Sequence, residues 1–106
     1  MKKVTQLSTK DVDRLLFGVP TDHKHCRLAL ITTRDECFIL SEALVAAIVR
    51  AYVSLKTHPQ LKTIEMNSSR SSWPKADFAD YQLLESQTSS SDIEAELSEL
   101  LGKADQ

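Results

Sequence analysis

The sequence predicts a single small α+β domain, and three observations carry that expectation. A run of β-favouring residues at 26–40 is broken once by a polar pair, as a hairpin would be. The next segment, 42–55, follows a serine cap and is apolar over most of its circumference, which reads as a long central helix packed on a small sheet. Ser91 with Glu94 forms a capping box that opens a last, amphipathic helix. At 106 residues the chain has room for one core. Its 42% hydrophobic and 26% charged content match an ordinary folded domain and argue against wholesale disorder.

The first element is expected to be a short helix at 9–17. Ser8 stands at the N-cap position with Asp11 three residues on, Leu7 and Val12 can form a hydrophobic staple, and Val12, Leu15 and Leu16 share a helical face. Gly18 and Pro20 supply its stop. After a polar connection, residues 26–33 read as a strand with Leu28 and Leu30 on one face. Arg34 and Asp35 make the turn and residues 37–40 return as its partner; because the turn lacks glycine, a helix beginning at Asp35 is the alternative. Ser41 caps the central helix and Glu42 suits its positive end. Arg50 is the only charge between Glu42 and Lys56, so this helix needs cover on more than one side, from a sheet and another helix or from a second subunit. His58 and Pro59 end it.

Residues 61–66 read as a third strand, with Ile64 and Met66 on one face, completing a mixed sheet of about three strands. Residues 67–72 and 87–91 read as polar linkers. Between them Pro74, Phe78, Tyr81 and Leu84 have helical spacing, while 81–84 also fits an edge strand. The last helix carries Ile93, Leu97, Leu100 and Leu101 on one side and ends near Gly102. Residues 1–86 thus form the core domain, and 87–106 a linker and helix that docks on the core or on a second subunit.

The chemistry-bearing residues are few. His23, His25, Cys26 and Cys37 are zinc-ligand types, but the expected hairpin places Cys37 opposite Thr32, about 20 Å along the strand from Cys26. No metal site is expected. Either cysteine would need a nearby base and a positive field to act as a nucleophile, and Cys37 precedes the apolar Phe38, Ile39 and Leu40, where burial raises a thiol pKa. Two glycines, Gly18 and Gly102, are too few for a phosphate-cradling loop. The net charge of −2 gives no push toward a polyanion, so nucleic acid is not an expected partner. That charge is split unevenly, about +3 over residues 1–66 and about −5 over 67–106. No stretch approaches the roughly 18 apolar residues of a membrane span, and two lysines at the N-terminus lack the apolar run of a signal peptide. Two cysteines fit a reducing compartment.

The function these observations favour is a non-enzymatic protein-interaction or regulatory module, homodimeric and cytoplasmic, with no cofactor and no catalytic residue. Its contact residues are expected to be Trp73, which can anchor an interface, and the stripe Ile93, Leu97, Leu100 and Leu101. The alternatives are a small enzyme or enzyme subunit using a cysteine or histidine in an intersubunit pocket, and a nucleic-acid-associated protein.

Overall fold

Ser8 and Asp11 make the capping contacts that the sequence predicts, but the helix they open is one turn long. In a computed structural model, which describes residues 3–70 and 81–104, the Asp11 carboxylate accepts from the Ser8 backbone N–H at 2.9 Å and from its hydroxyl at 3.0 Å. A 3-10 turn covers Thr9–Asp11 and the chain then runs straight into strand β1, Val12–Gly18. The expected helix at 9–17 is thus replaced by a strand. Val, Asp and Phe are indifferent helix formers, and β1 gains a ladder running from Val12 opposite Thr32 to Gly18 opposite Arg27, with an irregularity at Asp13.

Strand β2, Arg27–Thr32, is central and β3, Cys37–Ser41, completes an antiparallel sheet of order β1-β2-β3. The hairpin is where the sequence places it, shifted by one residue: Cys37 lies opposite Ile31 rather than Thr32. Asp35 takes the left-handed conformation, φ 63°, that glycine would otherwise supply and that Asp tolerates better than most residues. Thr32 holds the turn. Its hydroxyl accepts from the backbone N–H groups of Arg34 at 3.3 Å and Glu36 at 3.2 Å, and its side chain is buried. Thr32→Val keeps the shape but leaves both amides short of an acceptor, so it is expected to cost about 1–3 kcal/mol in urea unfolding at matched protein concentration.

Helix α1, Glu42–Thr57, follows β3 directly, with the Ser41 hydroxyl accepting from Leu44 N–H and the His58 N–H closing the last turn on Ser54 O. The predicted third strand lies further along the chain. Residues 61–65 are irregular, and β4 spans Met66–Arg70, sharing Met66 with the expected strand and taking its other four residues from the expected polar linker. It pairs antiparallel with β5, Tyr81–Glu85, the edge-strand alternative for that segment. Both sheets are antiparallel, and among the described residues the expected mixed sheet with a parallel crossover is not formed. Pairing with the apolar Leu83 and Leu84 overrides the weak strand propensity of Asn67, Ser68 and Ser69. Helix α2, Ser90–Ala104, is capped two residues earlier than expected: the Ser89 hydroxyl, not that of Ser91, accepts from the backbone of the third helical residue, Asp92, and Gly102 lies within the helix. The result is a small α+β fold of two antiparallel sheets and two helices, with α1 touching β2 and β3 of the first sheet and β5 of the second.

Candidate interaction surface

Ala43, Ala47 and Ala51 recur every four residues along α1, so a line of methyl groups faces the sheets and lets the helix approach closely. Ala47 is 2% exposed and is the one buried apolar residue among those described. Val45 and Leu55 are half-buried, and the other large apolar side chains of the helix are exposed. Leu44, Ile48 and Tyr52 form one row and Val49 and Val53 the next; all five are exposed, Ile48 at 53% and Tyr52 at 61%. Lys56 is the charge on this side, with its ammonium 5.9 Å from the centre of the Tyr52 ring. Much of the apolar surface of this helix is thus left uncovered within one chain.

The first sheet has the same surplus. Alternation and register place Leu15, Phe17, Leu28, Leu30, Phe38 and Leu40 on one face and Leu16, Ala29, Ile31, Cys37 and Ile39 on the other. One helix covers at most one face, and Ile39 is 65% exposed. The chain as a whole exposes 8879 Å², where a folded monomer of its 11.9 kDa mass exposes about 6,000 Å². Its radius of gyration, 16.0 Å, exceeds the roughly 13 Å of a compact domain of this length.

The stripe expected on the last helix is present. Ile93, Leu97, Leu100 and Leu101 lie on one side of α2, with Ile93 and Leu100 half-buried and Leu97 and Leu101 exposed. Trp73 lies outside the described residues. The sequence points to the central helix as contact surface together with the last helix, but not to which of its side chains are exposed, because the helix is apolar nearly all round.

A second feature lies at the start of α1. His23, His25, Arg27, Glu42, Arg50 and Gln82 border an open cleft of about 880 Å³. Its charged groups are engaged with the fold. Glu42 accepts from the Cys26 backbone N–H and stands 3.7 Å from His25 Nδ1. Arg27 donates to Cys26 O at 2.9 Å, and Arg50 donates to Leu83 O at 3.5 Å. Only Cys26 of the two cysteines is near this cleft; Cys37 lies at the far end of the β2–β3 ladder, and no group of three metal-ligand residues occurs among the described residues. Burial, then the hydrogen bond to Glu42, pushes the Cys26 thiol up, which leaves it protonated and a poor nucleophile at neutral pH.

The Cys26 backbone N–H, then its thiol, holds the Glu42 carboxyl below its ordinary value of 4.5. A carboxylate with a depressed folded pKa contributes stability that is complete above the unfolded value and is lost as pH falls through the folded one. Asp11, through Ser8, and Glu65, through Ser86 and Thr88, are shifted the same way. The fold is therefore expected to weaken as the pH drops below about 4.5, and Glu42→Gln to flatten that acid limb in pH-dependent urea titrations.

No protein-family model matches the chain, and comparison with curated proteins and with solved structures returns no similar protein. No helix among the described residues is long and apolar enough to cross a membrane.

Proposed function

We propose that the protein is a non-enzymatic interaction or regulatory module that works in the cytoplasm as a homodimer, with the outward face of α1 and the open face of its first sheet as contact surface. The observation that carries this reading is the apolar side of α1 left uncovered within one chain, with Leu44, Ile48, Val49, Tyr52 and Val53 exposed. Covering the exposed halves of those five side chains contributes about 1 kcal/mol each. That sum of about 5 kcal/mol per chain is comparable with the entire stability of many small domains. The surface surplus, about 2,900 Å² per chain and so about 5,800 Å² per dimer, lies at the upper end of what obligate homodimers bury.

Sedimentation over a wide concentration range tests the reading. A species of twice the 11.9 kDa chain mass is expected down to low micromolar protein. A single-chain mass at millimolar protein would end it.

The cleft at the start of α1 supports a second reading, a small-molecule site completed between subunits, because His23 and His25 border open space there. The protonated Cys26 thiol weighs against covalent catalysis. Alkylation of Cys26 no faster than that of a free thiol near neutral pH is expected, and an unusually fast reaction would favour this second reading.

A further inference from the structure

We infer that α2 is an exchanged arm, whose apolar stripe docks antiparallel on the outward face of α1 in a second copy of the chain, with the second copy returning the contact. This rests on the homodimeric reading and names the surfaces that make the dimer.

The base of α2 is fixed while much of its apolar stripe is uncovered. Glu65 receives the Ser86 N–H on its backbone oxygen at 2.8 Å and the Thr88 hydroxyl on its carboxylate at 2.8 Å, and the Thr63 hydroxyl donates to Ser90 O at 3.4 Å. Beyond that anchor no residue of α2 is fully buried, Ile93 and Leu100 are half-buried, Leu97 is 52% exposed, and α2 has no extensive contact with α1 of its own chain. A helix of 15 residues is marginal in water without a surface to lie on.

The outward face of α1 fits that need in length, chemistry and charge. From Ile48 to Lys56 and from Ile93 to Leu101 each stripe runs eight residues, about 12 Å at helical rise. Antiparallel docking sets Ile48 against Leu101 and Tyr52 against Leu97, in ridges at spacings of three and four. It also brings Lys56, the charge on the α1 stripe, beside Glu94 and Glu96, which flank the α2 stripe. Opposed helix dipoles add to this orientation, since the C-terminal end of α1 meets the N-terminal end of α2. The contact is made twice across a two-fold axis, as a closed dimer requires.

The test uses full-length chains with Cys26→Ser and Cys37→Ser, carrying Ile48→Cys and Leu101→Cys together. Mild oxidation is expected to give a covalent two-chain species in denaturant, and mixing the two single-cysteine chains to give a mixed disulfide pair. A disulfide closed within one chain would show that α2 folds back on its own α1 and would overturn the exchange. So would the absence of cross-linking in a chain that still sediments as a dimer, although the homodimeric reading would then stand. A single-chain mass for the unaltered protein would remove both. As a check independent of the cysteine variants, Leu97→Ala with Leu101→Ala is expected to raise the dimer dissociation constant at least about 30-fold; an unchanged constant would overturn the exchange.

Discussion

Replacing Ile48 with Asp is expected to convert the assembled protein into single chains that no longer unfold cooperatively. Ile48 lies in the middle of the outward α1 stripe and is 53% exposed in one chain. If the surface stays in water, an exposed helix position tolerates Asp within about 0.5–1 kcal/mol. If a second copy covers it, the carboxylate is buried among Leu44, Tyr52 and the partner's apolar side chains without a hydrogen-bond donor, at a cost of several kcal/mol per chain. The two cases differ by more than most small domains can absorb. Far-UV circular dichroism and sedimentation at about 10 μM distinguish them: Ile48→Asp should lose both helix signal and dimer mass.

Ala47→Leu is the second substitution with a large expected effect, and it acts inside the chain. Ala47 is the one buried apolar residue among those described, at 2% exposure, and close-packed interiors seldom leave room for three further carbons. Overpacking of this kind costs typically about 1–3 kcal/mol, and more where the backbone cannot shift. Here the displaced element is α1 itself, which also sets the outward stripe, so a loss at the top of that range is expected. The same change at Ala95, exposed on α2 away from its stripe, should alter the urea midpoint little. Equal effects at the two positions would mean that α1 does not pack as closely as the alanine line requires.

What could be read from the residues followed the strength of local signals. Ser41 before an apolar run and the His58-Pro59 pair bounded α1 to within two residues, because a cap and a proline act locally. The first segment is a strand despite a true capping signal, because the caps at Ser8 and Asp11 serve a single turn. Val12, Leu15 and Leu16 have a spacing that fits either state, and pairing with β2 decided between them. Asn67, Ser68 and Ser69 form a strand only because Leu84, Leu83 and Gln82 lie opposite; no property of a polar run announces a partner that follows it by more than ten residues. The interaction surface divides the same way. The α2 stripe was visible as a 3.6-residue periodicity, whereas the outward side of α1 has no apolar-to-polar contrast to mark it. The cleft was not legible at all, since Arg50 meets the 22–27 segment only through the fold.

The claim on which the rest depends is that folding and association are one event, and the concentration dependence of the unfolding midpoint tests it most directly. For a chain whose apolar surface is completed by a second copy, each tenfold rise in protein adds about 1.4 kcal/mol to the stability of the dimer. The thermal and urea midpoints should therefore climb steadily from 1 to about 100 μM. A midpoint that stays constant across that range, with a single cooperative transition, would show that one chain folds alone with its α1 stripe in water and would contradict the account.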